Sequence, residues 1–229
     1  WTYERYGFYP VDEPGLDYGP RVPVFLAAAH LFREADSNIR IYTDPVPGLS
    51  MADFERIAPY VDIWCPNMRM VTGGLLDDPR MAQIMASGKP VWSYECVAQV
   101  KTLSPLRYNR GNAWRAWFFG LDGIGHWTFS TTQANQWFAN ADANDEYALV
   151  YPGVHPVPSV RWEAVRDGLE DVSDLRLLEQ KLEQAKLRNN VSIAVAEADT
   201  LLRRLRVDMM ERIDGAFIES RDYLKEGDR

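Results

Sequence analysis

At residues 8–15 the chain reads Phe-Tyr-Pro-Val-Asp-Glu-Pro-Gly, an apolar run that stops at two adjacent carboxylates and a Pro-Gly turn. Side chains alternate between the two faces of a regular strand, so Asp12 and Glu13 share a site only if the strand ends there. Pro14 supports that ending, because it has no N–H and biases Glu13 toward an extended backbone. We therefore predict an active site at the end of a strand. A turn with two solvated acids is the alternative that this stretch alone leaves open.

Strands and helices alternate after this stretch. The apolar spacing, the capping pair of Ser50 and Asp53, and the stop signal of Gly88 and Pro90 define their limits. We predict strands at 39–43, 61–65, 91–97 and 123–130, and helices at 23–35, 50–60, 78–86 and 109–119. This alternation predicts an α/β fold with a parallel sheet and right-handed crossovers. Aromatic, carboxylate and amide residues fall at the C-terminal ends of the strands, which is where a (β/α)8 barrel places its active site.

With the strand before the dyad, five strands are present, too few to close a barrel of eight. Counted backward from the last strand, the dyad lies on the fourth. We predict that the chain holds the C-terminal part of a TIM-type barrel, about strands 4 to 8. An open doubly wound sheet is the alternative, but no glycine-rich phosphate loop follows any predicted strand. The chain starts at Trp1 rather than Met, so we expect a piece of a longer protein whose first three strands precede it.

A loop rich in Asn, Ala and Asp spans residues 131–158, and we expect it over the mouth of the barrel. An amphipathic helix is predicted at 159–186, with one or two further helices between 191 and 224. The predicted division is a partial catalytic barrel at 1–186 and a helical extension at 187–229.

Composition excludes several classes of partner. A net charge of -8 argues against nucleic acid, and no apolar stretch approaches the roughly 20 residues that a membrane span needs. Eight tryptophans, several near predicted strand ends, favour a neutral polar ligand such as a sugar. Cys65 and Cys96 form no disulfide framework, although one bridge between them is an open alternative. Three histidines without metal-ligand spacing lead us to predict neither a metal nor another cofactor.

Several motifs in order now carry a family resemblance. They are Tyr-Pro-Val-Asp-Glu-Pro at 9–14, Trp-Ser-Tyr-Glu-Cys at 92–96, Gly-Ile-Gly-His-Trp at 123–127, Tyr-Pro-Gly at 151–153 and Pro-Ser-Val-Arg-Trp-Glu-Ala-Val-Arg-Asp-Gly-Leu-Glu-Asp at 158–171. From Tyr9 to about Leu178 the chain resembles the catalytic barrel of glycoside hydrolase family 123 and its uncharacterised relatives. The resemblance implies a retaining exo-β-N-acetylgalactosaminidase with substrate-assisted catalysis, in which the 2-acetamido oxygen of the sugar attacks the anomeric carbon.

Carried onto this chain, the resemblance implies that ionised Asp12 orients the acetamido N–H and stabilises the oxazolinium ion. Glu13 would protonate the leaving oxygen and then deprotonate water. By strand position, Tyr94 is a candidate for the acetamido oxygen, and Trp92 or Trp127 for the wall around its methyl group. Candidates for sugar hydroxyls are Asp44, Asn67 and Glu95. Strand-end structure without ligand contact is the alternative for these six residues.

We interpret the charged residues Arg161, Arg166, Asp167 and Asp171 as ties between the last barrel helix and neighbouring loops. The predicted partner is a carbohydrate substrate, and the configuration at its C4, the oligomeric state and the localisation stay open. The resemblance implies a secreted or periplasmic parent protein. Two other functions also stay open: a glycosidase of the same fold that acts on a sugar without an acetamido group, and a non-catalytic carbohydrate-binding barrel.

Overall fold

The computed structural model describes residues 2–16, 19–74, 78–95, 104–130, 148–189 and 191–216. The chain forms two compact units. The first comprises Trp1–Cys96 with Leu121–His126, and the second comprises Val97–Gly120 with Trp127–Arg229.

The first unit alternates short strands with helices. Its helices are α1 (Arg21–Ala35), α2 (Met51–Ile57), α3 (Met68–Gly74) and α4 (Pro79–Ala86), and its strands are β1 (Tyr42–Thr43), β2 (Ile63–Trp64), β3 (Trp92–Glu95) and β4 (Gly123–His126). The Ser50 side chain caps α2 by accepting the Asp53 N–H at 3.1 Å, as the sequence predicts. Asp78 caps α4 in the same way, and Pro79 occupies its first turn.

Among the described residues of the first unit, the pairings that involve these strands are all parallel. Phe8 pairs with Ile41, β1 pairs with β2, Trp64 pairs with Val91, and β3 pairs with β4. Five segments therefore lie side by side in the order in which the chain passes through them. This is the order of consecutive strands in a (β/α)8 barrel. Closure into eight strands stays a prediction.

Apolar faces of the helices cover this sheet and form the core. Phe25 of α1, Ile57 of α2 and Ile84 of α4 are each fully buried. Trp64 of β2 is 2 % exposed and its ring stacks on Phe54 at 5.3 Å between centroids. Such burial of large side chains is the main stabilising contribution to the unit.

The second unit is mainly helical. A π-helical turn (Leu106–Arg110) leads into α5 (Gly111–Phe118), and the long helices α6 (Val160–Leu187) and α7 (Ile193–Ala216) follow a short antiparallel pair, β5 (Val150–Tyr151) and β6 (Val157–Pro158). Gly168 brings α6 against the start of α5, since a Cβ at this position would lie 2.6 Å from the Arg110 carbonyl oxygen. Arg110 Nε also pairs with Asp171 Oδ2 at 2.6 Å.

This contact confirms Asp171 as a tie between the long helix and its neighbours. Arg161 is confirmed as well, because its Nη2 donates to the Ala148 carbonyl oxygen at 2.6 Å. Arg166 differs from the prediction, since it pairs with Glu163 and Glu170 on its own helix. Asp167 lies 3.4 Å from Arg166, within the same helix.

Several boundaries also differ from the sequence prediction. Helix α3 is not predicted at all, and β5 and β6 lie inside the predicted 131–158 loop, of which residues 131–147 are outside the described residues. The predicted helix at 109–119 begins with a π-helical turn at Leu106 and ends at Phe118. Within the described ranges, none of the helices combines the length and apolar character that a bilayer crossing requires. The predicted domain division at 186 stays a prediction.

Candidate active site

The candidate site lies in the first unit, where its parallel strands end. The dyad Asp12 and Glu13 follows the Phe8 pairing, Asp44 directly follows β1, Asn67 follows β2, and Tyr94 lies near the end of β3. Because parallel strands end at the same edge of a sheet, side chains far apart in the sequence meet there. The structure thus brings together six of the eight residues that the sequence predicts: Asp12, Glu13, Asp44, Asn67, Trp92 and Tyr94.

Two turns hold the dyad in place. Gly15 has a φ of +109°, and a Cβ there would lie 2.4 Å from the Leu49 backbone nitrogen. On the other turn, a Cβ at Gly48 would lie 2.5 Å from the Gly15 oxygen. Only glycine allows this approach of two backbones, so the turn after the dyad is fixed against the loop after β1.

Asp12 is the open member of the dyad. Its side chain is 62 % exposed, and Arg21 Nη1 of α1 lies 3.5 Å from its Oδ2. Arg21 also donates to the Asp12 carbonyl oxygen, and the Tyr9 hydroxyl donates to Asp12 Oδ1 at 2.6 Å. A positive charge and an O–H donor therefore fix this carboxylate while leaving it accessible to a ligand.

Glu13 is half-buried and has different partners. The Tyr94 hydroxyl donates to its Oε1, and its backbone N–H donates to Asp44 Oδ1 at 2.9 Å. Its φ is +44°, in the left-handed region, so the extended backbone predicted from Pro14 is wrong. The left-handed conformation is costly for a residue with a Cβ, and backbone strain of this kind clusters at functional sites. The bond to Asp44 and the packing of the following turn hold Glu13 there.

Asp44 is buried beneath the dyad. It is 5 % exposed, its Oδ1 accepts the Glu13 N–H, and its Oδ2 is hydrogen-bonded to the Tyr9 hydroxyl. Burial raises the pKa of Asp44 to about 7, although the hydrogen bonds with Tyr9 and with the Glu13 N–H act in the opposite direction. Both carboxyl oxygens are thus engaged within the protein. The predicted contact of Asp44 with a sugar hydroxyl stays a prediction.

Asn67 and Tyr94 form a second polar pair at this edge. The Asn67 Oδ1 accepts the Arg69 N–H at 3.0 Å at the start of α3, and Asn67 pairs with Tyr94 in a parallel β-bridge. Burial, and then the bond to Glu13, raise the pKa of the Tyr94 phenol well above its ordinary value, so Tyr94 is a neutral donor. The predicted roles of Asn67 and Tyr94 toward the sugar stay predictions.

Aromatic rings line the site beside these groups. Tyr9 packs edge-on against Tyr42 at 5.1 Å between centroids, and Tyr42 lies 5.9 Å from Trp92. Gly123 of β4 makes room for the indole, because a Cβ there would lie 2.7 Å from Trp92 Cδ1. A half-buried Trp92 next to Tyr42 is suited to an apolar group of a sugar.

The other predicted residues are placed less fully. Glu95 lies on β3, opposite His126 of β4 in the ladder, and its side chain is outside the described residues. Trp127 belongs to the second unit, where it is 51 % exposed. Cys65 is a free buried thiol, and burial raises its pKa to about 12. Cys96 is outside the described residues.

Sequence reasoning missed three residues of the site, Tyr9, Arg21 and Tyr42. Tyr9 lies three residues before Asp12, so its spacing was a signal for a shared site. Arg21 opens α1 and carries no such signal. Among the described residues, no group of three His, Cys, Asp or Glu side chains is arranged to hold a metal ion. The titratable groups that the site brings together are carboxyl and phenol groups.

Comparison with known proteins bears on this site. Residues 28–178 match the family described as glycoside hydrolase 123, catalytic domain. This range is about two thirds of the chain and includes Asp44, Asn67, Trp92, Tyr94, Glu95 and Trp127, while Asp12 and Glu13 lie ahead of it. No curated protein matches the chain.

Proposed function

This chain belongs to the glycoside hydrolase 123 family through its catalytic domain, and from that premise we propose that it is a retaining exo-β-N-acetylgalactosaminidase that uses substrate-assisted catalysis. The family makes the chain a glycoside hydrolase with a carbohydrate substrate. The proposal adds the sugar and the mechanism.

The observation that carries the proposal is the difference between the two neighbouring carboxyl groups. Asp12 is open and lies beside the Arg21 guanidinium, whereas Glu13 is half-buried and bonded to Tyr94. Carboxyl groups in unlike surroundings take unlike roles in acid–base catalysis. Two carboxyl groups with the same role would not need such different surroundings.

In the first step, the acetamido oxygen of the sugar attacks the anomeric carbon as the glycosidic bond breaks. Asp12 accepts a hydrogen bond from the acetamido N–H and stabilises the positive charge of the oxazolinium ring. Glu13 gives its proton to the leaving oxygen. In the second step, Glu13 takes a proton from water, the water oxygen attacks the anomeric carbon, and the ring opens to restore the acetamido group. Two displacements at one carbon retain its configuration.

Tyr94 and Trp92 fit secondary roles in this scheme. Because the Tyr94 hydroxyl donates its hydrogen bond to Glu13 Oε1, the second carboxyl oxygen of Glu13 is available to the leaving group. Donation from Tyr94 to the acetamido oxygen would require Glu13 to carry its own proton. Trp92, beside Tyr42, would pack on the acetamido methyl group.

The experiment compares three aryl glycosides with the full-length protein: the N-acetyl-β-galactosaminide, the N-acetyl-β-glucosaminide and the β-galactoside. We expect hydrolysis of the first only, together with tight inhibition by the galacto-configured thiazoline that mimics the oxazolinium ion. Hydrolysis of the β-galactoside would remove substrate assistance. Preference for the gluco sugar would keep the mechanism and change the substrate, and binding without hydrolysis of any of the three would favour a carbohydrate-binding module.

A further inference from the structure

The Tyr9 hydroxyl lies between two carboxyl groups, and each of these two contacts needs a hydrogen atom. Tyr9 Oη is hydrogen-bonded to Asp12 Oδ1 at 2.6 Å and also to Asp44 Oδ2. A neutral phenol has one proton to donate. If both acids were ionised, one of the two contacts would set lone pairs against lone pairs. One carboxyl group must therefore supply a second proton.

Burial decides which acid carries that proton. Asp44 is 5 % exposed, whereas the Asp12 side chain is 62 % exposed and lies 3.5 Å from Arg21. A charge is costly in a buried position without a cation, and Asp44 has no ion pair among the described residues. The protonated group is therefore Asp44.

The surroundings of Asp44 agree with this assignment. The groups that act on it or that it acts on are Tyr9, Asp12 and the Glu13 N–H from the N-terminal segment, Tyr42 from its own strand, Cys65 from the end of β2, and Tyr94 from β3. Burial raises the pKa of Cys65 and of the three tyrosines, which keeps them neutral. The remaining charge in this set is the negative one on Asp12, which disfavours a second negative charge on Asp44. The pKa of Asp44, raised to about 7, is in line with the geometry.

We propose that Asp44 is a positioning residue. Its protonated carboxyl group donates a hydrogen bond to the Tyr9 hydroxyl. Tyr9 in turn donates a hydrogen bond to Asp12 and fixes it as the ionised member of the dyad. The other oxygen of Asp44 accepts the Glu13 N–H, so one buried acid positions both residues of the dyad. The role of Asp12 in this chain rests on the function proposed above, whereas the proton on Asp44 does not.

The first test is therefore independent of activity. The carbonyl stretch of a protonated carboxyl group is measured by infrared difference spectroscopy between pH 6 and pH 9. We expect wild type to show a band that titrates in this interval and Asp44→Asn to lack it. Asp122→Asn is the matched control, since Asp122 Oδ2 accepts the Val91 N–H at 2.9 Å, as Asp44 accepts that of Glu13. An unchanged band in Asp44→Asn overturns the proposal.

A second variant guards against misfolding of Asp44→Asn. Tyr9→Phe removes the acceptor of the Asp44 proton, so the band should remain and shift in frequency. A band that does not shift overturns the link between Asp44 and Tyr9.

The second test uses the pH profile of kcat/KM on a dinitrophenyl glycoside, whose leaving group needs no proton from Glu13. Above about pH 7 Asp44 ionises and competes with Asp12 for the phenol proton, so wild type should lose activity there. The amide of Asp44→Asn donates at every pH, so its basic limb should move up by more than one pH unit. Tyr9→Phe should lower kcat by roughly 10- to 100-fold, the range for a hydrogen bond to a charged group, with KM changing less than kcat.

A merely structural Asp44 would change the height of the profile and leave its limb in place, and that result overturns the proposal. If wild type hydrolyses none of the glycosides, the proposed function fails, and the infrared result alone then decides the state of Asp44.

Discussion

At the scale of single residues, the difference between Asp12 and Glu13 makes a kinetic prediction. Glu13→Gln removes the proton donor, so turnover of glycosides with poor leaving groups should fall by roughly 10²–10⁴-fold. A dinitrophenyl glycoside needs no such proton, and its first step should be spared. Asp12→Asn is the matched comparison, and it should lose activity on both substrates. Steady-state kinetics on the two substrates measure this, and an equal loss in Glu13→Gln would contradict the acid role.

The glycine after the dyad makes a stability prediction at the same scale. Gly15→Ala adds a Cβ 2.4 Å from the Leu49 nitrogen at a φ of +109°, so we expect a loss of more than about 2 kcal/mol in the free energy of unfolding. Gly19→Ala is the control, because Gly19 has a φ of +83° and open space around it. It should cost only about 1 kcal/mol for the left-handed backbone. Chemical denaturation measures both, and equal losses would contradict the close contact.

The dyad also shows which features of the structure the local sequence predicts. An apolar run ending at two acids and a Pro-Gly turn predicted the strand end, because each residue acts on its own local backbone. The φ of Glu13 was mispredicted, because a bond to Asp44 and the contact with Leu49 override the preference imposed by Pro14. Local sequence carries no signal for partners that lie more than 30 residues away.

At the scale of elements, the contact between α5 and α6 reverses an ordinary helix rule. Alanine in place of glycine inside a helix usually stabilises by about 1 kcal/mol. Gly168→Ala should instead destabilise, because the new Cβ would lie 2.6 Å from the Arg110 carbonyl oxygen. The matched control is Gly111→Ala in α5, where the nearest heavy atom lies at 3.9 Å and the change should be neutral or stabilising. Thermal unfolding compares the two, and a stabilised Gly168→Ala would rule out the tight packing.

The capped helices α2 and α6 were predictable, and helix α3 was not. Ser50 and Ser159 accept backbone N–H groups at the starts of α2 and α6, where the sequence placed them. Helix α3 has seven residues and begins where the sequence suggested only the end of a strand. Asn67 caps it at 3.0 Å from the Arg69 nitrogen. A polar residue after a strand is typical both of a site and of a helix start, and here Asn67 contacts both Tyr94 and α3.

At the scale of the whole molecule, buried Asp44 gives stability a definite dependence on pH. Its pKa is about 7 in the folded protein and ordinarily 3.8, so the folded state binds the proton more tightly. The contribution of this proton to the free energy of unfolding is complete below about pH 4 and is lost as the pH rises to about 7. The stability of wild type relative to Asp44→Asn should therefore fall across this interval. Denaturation of the two proteins at several pH values measures the difference, and an equal pH dependence of both would contradict the burial of a protonated Asp44.

The overall topology was predictable only in part. The alternation of strands and helices predicted parallel neighbours, and the pairings from Phe8 to β4 follow the chain order. Closure of a barrel stays a prediction, because the pairings among the described residues join neighbouring strands and do not decide it. The six candidate ligand residues were placed by strand position, which predicts proximity to the site and does not predict which partner each side chain takes.

The hydrogen bond from Tyr94 to Glu13 spans 81 residues of chain, and the one between Tyr9 and Asp44 spans 35. Contacts between such distant residues close large loops, and their entropic cost is met only after the intervening strands have paired. The site should therefore be among the last features to assemble during folding and among the first to open during unfolding. A partly folded chain with its helices formed and its sheet incomplete would therefore contain both acids without their alignment.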